Sequence, residues 1–414
     1  MPTLPDGDPA PQDGLLPASA VDGSADRALS LYVHVPFCSV RCGYCDFNTY
    51  TALELGPDVS QAAYHLDAQH EVRFAHQVLE ASGAARRPLH SIFFGGGTPT
   101  RLAAGSLVEI LDTARETFGL EDGAEITTEA NPDSVTAEDL RTLADGGFTR
   151  VSFGMQSSVA HVLRTLDRTH DPRNVPRVVG WAREAGLSVS TDLIYGTPGE
   201  SLADWRASVR EAISYEPDHL SAYSLIIEEG TRMAARIRRG EIDPIDPDDQ
   251  AEKYTAAEQL LGEAGFQWYE ISNWSRAAGG RSAVENRSAH NLAYWHNQDW
   301  WGVGPGAHSH VGGLRWWNRK HPMPYVRAVR DGLSPAVGRE LLDEDTRYLE
   351  RVMLETRIAD GLPVAALRDP GRREVAGLVA DELIDGRAAI AGRIVLTLRG
   401  RLLGDAVVRR LLPD

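Results

Sequence analysis

Tyr32-Val33-His34-Val35-Pro36-Phe37-Cys38-Ser39-Val40-Arg41-Cys42-Gly43-Tyr44-Cys45 is the stretch on which the reading of this chain turns. A β-rich run ends at a proline, and three thiols follow on one short loop with x3 and x2 spacing. They are the 3 cysteines of the whole sequence, and an odd, clustered set cannot form a disulfide framework. Thiolates are soft ligands that select iron–sulfur clusters or zinc over hard cations. Structural zinc takes four ligands, and without a second cysteine pair a closed zinc site would have to recruit His34 or Asp46. A cubane cluster with one iron left open fits the three thiols better.

Outward from this loop the chain alternates short β-rich runs with longer amphipathic stretches, the pattern of parallel βα units. Strands are predicted at 30–37, 90–94, 125–129, 150–154, 188–194 and 219–225. Helices are predicted at 60–81, 105–118, 137–145, 174–185 and 201–214. Six such units make either an open doubly wound sheet or a barrel-like sheet, and periodicity does not separate the two. Beyond Thr231 come a helix at 252–262, a strand-like run 266–274 and an aromatic and histidine-dense segment 290–317. Helices at 342–358 and 373–385, then a strand at 393–398 and a turn at Gly400, suggest a small winged-helix-like unit.

Composition narrows the class. Hydrophobic residues make up 42% and charged residues 24% of the 414, and 42 basic against 59 acidic side chains leave a net charge of −17. That balance argues against a broad nucleic-acid-binding face, which needs basic stripes. The lysines are Lys253 and Lys320. Residues 1–28 are rich in Pro, Asp, Gly and Ala and read as a disordered tail. They lack the basic-then-apolar run of a signal peptide, and no apolar stretch approaches the ~20 residues of a membrane span. A soluble, cytoplasmic protein is expected.

Further motifs sit at predicted strand ends, where parallel sheets form ligand crevices. Gly95-Gly96-Gly97-Thr98-Pro99-Thr100 closes the second strand; its glycines allow close approach, and free N–H groups at a helix start would favour a carboxylate. Glu129 ends the third strand and Gln156 the fourth. Arg168 follows, and Asp192 lies inside the apolar fifth strand, where a charge needs a partner; an ion pair with Arg168 is one structural explanation. The loop Gly302-Val303-Gly304-Pro305-Gly306 reads as a turn near the active cavity. Trp300, Trp301, Trp316 and Trp317 read mainly as packing between the barrel and the C-terminal unit.

The cysteine loop and the glycine motif resemble those of radical S-adenosylmethionine (SAM) proteins, most closely the oxygen-independent coproporphyrinogen III oxidase-like group, from about Leu29 to the C-terminus. The resemblance implies an α/β fold: a partial (β/α)6 barrel over 29–265, a connecting region over 266–335 and a small, mainly helical C-terminal domain over 336–414. It implies that Cys38, Cys42 and Cys45 hold a [4Fe–4S] cluster. Tyr32, Tyr44, Gly96, Gly97, Thr98, Glu129, Gln156, Arg168, Asp192 and Ile226 would contact SAM. The cluster chemistry so implied is reductive cleavage of SAM to a 5′-deoxyadenosyl radical, with the protein orienting the cofactor and excluding water.

One departure selects a branch. The oxidases of this group carry a fourth cysteine two positions after the third, where this chain has Phe47. That puts decarboxylase activity in doubt and matches a sister branch of haem chaperones, which bind haem and hand it to acceptor proteins, soluble or membrane-associated. His290-Asn291-Leu292-Ala293-Tyr294-Trp295 is similar to a motif linked with haem binding in that branch, making His290 the haem residue by resemblance. His296, His308 and His310 are rival ligands, since imidazole suits haem iron and aromatics can cover a porphyrin face. An oxidase-type decarboxylase remains the alternative, and a zinc-stabilised structural protein a third class. From the spacing, Cys42→Ser is expected to abolish the cluster while the barrel still folds; full iron and sulfide content in that variant would refute the assignment.

Overall fold

The computed structural model describes residues 6–51 and 60–412. The six expected strands are β1 (Leu29–Val35), β2 (Leu89–Gly96), β3 (Leu120–Ala130), β4 (Arg150–Gln156), β5 (Ser188–Tyr195) and β6 (His219–Ser224), each parallel to the next. The helices between them are α1 (Tyr64–Ala81), α2 (Ala104–Phe118), α3 (Ala137–Asp145), α4 (Asn174–Glu184) and α5 (Leu202–Ser214). β1 is buried along nearly its whole length, the signature of a parallel strand covered on both faces. Capping boxes at Thr136 and Ser201 fix the starts of α3 and α5. The six repeats form the partial, open barrel that the sequence suggested.

The region expected to be a connector extends this sheet at both ends. The run 266–274 is a hairpin of β7 (Gln267–Glu270) and β8 (Asn273–Ser275), with β8 antiparallel to β6. The turn between them breaks the single strand predicted there. At the other edge, β9 (Asp299–Val303) runs parallel to β1. β10 (His308–Val311), β11 (Leu314–Asn318) and β12 (Ala336–Leu341) then follow as an antiparallel meander. Residues 336–341 therefore belong to the main sheet. Between the two edges, α6 (Ala289–Trp295) lies against the inner side of β2.

The N-terminal segment departs from the expected disorder. Asp8 and Pro9 pair with Arg339 and Gly338 at the sheet edge, and Leu16, Ala20 and Val21 are buried. A composition too poor in apolar residues to fold alone still orders where a preformed sheet supplies the edge and the core. Asp299, fully buried at the start of β9, accepts from Arg27 Nε at 2.9 Å, Arg87 Nη1 at 2.7 Å and the Gly312 N–H at 2.9 Å. It thereby ties the tail, β9 and the β10–β11 turn together.

Trp301 and Trp316 meet edge to face at 4.9 Å inside the sheet extension, and Trp317 lies against Gly7 and Gly338. Trp301, Trp316 and Trp317 thus pack the N-terminal segment and β12 rather than the helical part of the expected C-terminal unit, and Trp300 packs on Tyr294 of α6 and on His310. That unit has its own core of Val352, Leu362, Leu378, Ile394 and Val407. Its helices Glu344–Glu355 and Asp369–Ala380 and the ribbon of Leu362–Pro363 with Arg393–Ile394 replace the longer predicted strand. Gly400 sits in the short helix Leu398–Leu402 rather than in a turn, pressed against the Leu383 carbonyl.

Lys253, on the helix Pro247–Glu263, is fully buried; its Nζ donates to the Glu200 carbonyl at 2.8 Å and pairs with Asp249 and Glu200. Removing one member of a buried ion cluster strands its partners, at a cost of about 3–5 kcal/mol. Asp299→Ala is expected to lose about that much in denaturant unfolding and to speed proteolysis within residues 6–28. Unchanged unfolding and proteolysis would show that the tail is held elsewhere.

Candidate functional site

The cysteine loop leaves β1 with no regular structure of its own, so its backbone must find partners elsewhere. The Cys38 N–H donates to the Tyr50 carbonyl and the Tyr50 N–H to Pro36. Asn48 Nδ2 donates to the carbonyls of Pro305 at 2.9 Å and Lys320 at 2.8 Å. His34 Nε2 lies 2.9 Å from the Asn48 carbonyl and Nδ1 lies 3.0 Å from the Tyr32 hydroxyl. Both His34 nitrogens are engaged, so it is unsuited to a closed zinc site. Among the described residues, no three His, Cys, Asp or Glu side chains converge as a single metal ion requires.

The three thiols are free, half-buried and face one cavity of about 630 Å³. Burial pushes Cys38 up and Cys45 up to about 12. Arg168 Nη1 lies 3.8 Å from Cys42 Sγ, and Thr98 Oγ1 lies 3.9 Å from Cys38 Sγ. A cubane cluster assigns each thiolate to a different iron, so three thiols spread around a cavity wall beside a guanidinium suit it better than they suit one ion.

Every residue that the resemblance implied for cluster, SAM or haem lines this same cavity. The glycine turn does so with a different chemistry from that expected. The N–H of Gly96 donates to Glu129, that of Gly97 to Val35 and that of Thr98 to Phe37. The helix beyond them is a single three-residue turn, Pro99–Arg101. No N–H of these three is left to grip a carboxylate. A carboxyl stands there instead, and burial and the nearby Asp192 push Glu129 up to about 8.

Asp192 accepts from Ser152 at 2.8 Å, and burial raises its pKa. Arg168 donates to the Gly154 carbonyl at 2.8 Å, so the ion pair considered for Asp192 does not form. Gln156 has φ of 63° at a register shift of β4, a strained backbone of the kind that gathers at functional sites. Around the mouth Val40, Phe47, Tyr223 and Ile226 are exposed apolar side chains. The floor holds residues that the sequence reading missed, among them Thr127, Arg150, Ser190, His219 and Asn273. The available signal was a polar residue at alternate positions of otherwise apolar strands. The 302–306 loop does not line the cavity; Gly304 packs behind β1 against the His34 carbonyl and donates its N–H to buried Glu71.

A model of the radical SAM superfamily matches residues 32–212. The chain is 45% identical over 387 residues to the haem chaperone HemW of Mycobacterium tuberculosis (strain ATCC 25618 / H37Rv), covering 93% of this chain and 95% of that protein. The chain belongs to the HemW family of radical SAM proteins. HemW of Bacillus subtilis (strain 168) is 31% identical over 393 residues, covering 93% and 99%. The solved structure of coproporphyrinogen III oxidase HemN from Escherichia coli superposes with a TM-score of 0.76 at 22% identity, over 97% of this chain and 94% of that one, and shows the shared fold. Membership of the radical SAM family implies a [4Fe–4S] cluster and SAM. Among the described residues, no helix is long and apolar enough to cross a membrane.

In HemW terms the histidine motif 290–295 is α6. His290 is buried, its Nδ1 lies 2.8 Å from Ser91 Oγ and its Nε2 2.8 Å from the Tyr294 hydroxyl. Its ring stacks on Phe93 at 5.2 Å, and burial holds its pKa down at about 4. The backbone N–H groups of Ala289 and His290 donate to Glu125, which also pairs with Arg150. The expected haem residue thus fastens α6 to β2 and has no unengaged ring nitrogen.

Gly96 has φ of 107°, and a Cβ there would fall 2.5 Å from the His34 ring. Gly96→Ala must displace His34 and with it the Asn48 carbonyl. It is expected to destabilise the fold by about 1–3 kcal/mol and to lower iron incorporation. A thermal melt and iron content equal to those of the parent chain would contradict this.

Proposed function

We propose that this chain binds haem and transfers it to acceptor proteins, carrying in its cavity a [4Fe–4S] cluster on Cys38, Cys42 and Cys45 with SAM beside it. The observation that carries the reading is the near full-length similarity to HemW proteins combined with Phe47. Its exposed ring stands at the cavity mouth where an oxidase would place a fourth thiol. When bound, the cluster supplies one electron to SAM. The chain's own part is to hold and orient: the Glu129 and Asp192 carboxylates suit the positive charges of SAM, and the Arg168 guanidinium suits its carboxylate. Tyr32, Tyr44, Gln156 and the 96–98 turn complete the wall, and Ile226 lies at the rim.

The test is an anaerobic haem titration of cluster-reconstituted protein, run beside a coproporphyrinogen III oxidase assay. Saturable haem binding with no porphyrinogen oxidation is expected. Formation of the decarboxylated divinyl product would replace the chaperone reading with the enzymatic one.

Glu129 also sets a pH dependence. With a pKa of about 8 it is protonated at pH 7 in the free protein, and a cationic ligand favours its ionised form. SAM affinity should therefore rise as pH climbs from 7 through 8, with proton release on binding at pH 7. Calorimetry in buffers of different ionisation enthalpy reads that proton, and Glu129→Gln should remove it. A flat pH profile with no proton exchange would exclude Glu129 from the SAM site.

A further inference from the structure

A histidine that ligates haem iron needs a ring nitrogen that is both reachable and unengaged. In the histidine-dense segment two of the four candidates fail that requirement. His290 spends both ring nitrogens on Ser91 and Tyr294. His310 is buried, with Nδ1 3.0 Å from the Gln298 carbonyl and Nε2 accepting from the Gly313 N–H at 3.0 Å. His296 caps the end of α6, and among the described residues no aromatic ring packs on it.

His308, the first residue of β10, is exposed, and neither of its ring nitrogens is hydrogen-bonded to a described residue. Its ring lies against that of Trp317, its register partner on β11, at 6.1 Å between centroids. Trp300 Nε1 donates to its carbonyl at 3.1 Å and fixes the strand start. Partial desolvation against its neighbours, with the charges of Lys320 and Arg315, lowers its pKa and so favours the neutral imidazole, the form that binds iron.

The charges beside it also match a dianionic porphyrin. Arg315 is neutralised by Glu340 and Glu350. The Lys320 ammonium has no ion-pair partner among the described residues. Lys320 also gives its carbonyl to Asn48 and Tyr50, so this group abuts the cysteine loop one residue from the exposed Phe47.

We propose that His308 is the axial ligand of the haem this protein carries, with Trp317 flanking the imidazole and Lys320 receiving a propionate. The inference rests on the haem-chaperone reading and adds a site to it. Binding forms one nitrogen–iron bond and releases the water or hydroxide that ferric haem carried in solution; no electron is transferred.

The experiment is an anaerobic titration of cluster-reconstituted protein with hemin, read by the Soret band and the visible ligand bands. His308→Ala should weaken binding about tenfold or more and lose the imidazole-ligated spectrum, which added imidazole should restore. Lys320→Glu should weaken binding with an unchanged spectrum, and His308→Tyr should replace the imidazole bands with phenolate bands, a readout that does not depend on the alanine variant folding. His290→Ala should keep the imidazole bands. Failure of the parent chain to bind hemin would remove the chaperone reading itself. Parent-like affinity and spectrum in His308→Ala or His308→Tyr, with haem still bound by the parent, would overturn the assignment to His308 alone.

Discussion

An irregular loop carrying three thiols cannot hold itself in place, and the fold is organised around supplying it with partners. The side-chain amide of Asn48 reaches two carbonyls more than 250 residues later in the chain, those of Pro305 and Lys320. His34 holds the Asn48 carbonyl from the other side. These bonds require β9 beside β1 and the meander beyond it, and that arrangement is secured by the buried Asp299 and its two arginines. The segments added after the sixth βα unit are therefore structural requirements of the thiol loop as much as extensions of the sheet.

Within the cavity the charges are arranged for exchange with a ligand rather than for stability alone. Glu129 and Asp192 are half-buried carboxyls with raised pKa values and, among the described residues, no cation bonded to them. Arg168 meanwhile faces the thiols and a backbone carbonyl. Burying such groups unpaired is costly, and the cost is reduced when a molecule bearing positive and negative groups enters between them.

The barrel was legible in the sequence because parallel strands buried on both faces read as apolar runs, as in Leu31, Val33 and Val35 of β1. Site residues at strand ends were equally legible, since their motifs lie beside those runs. What stayed hidden depended on long-range pairing. The edge position of Asp8–Pro9 depends on β12, more than 300 residues away, and local composition pointed to disorder. The occupation of the Gly96–Thr98 N–H groups depends on how the cysteine loop returns past β2, which no local pattern encodes. The engaged nitrogens of His290 depend on Ser91, a distant small polar residue that looks like any strand serine.

Arginine carries almost all of the positive charge in this chain, and the few exceptions are placed very differently. Of its two lysines, Lys253 is sealed inside the barrel wall with its carboxylate partners, whereas Lys320 stands half-buried beside the thiol loop. Besides the α-amino group, which reacts preferentially near neutral pH, amine-directed labels and cross-linkers therefore have a single lysine within reach, and it lies next to the place where cofactor and cargo would meet. A fluorophore or cross-link introduced by that chemistry would report on that neighbourhood without any engineered cysteine, which in this protein would compete with the cluster ligands.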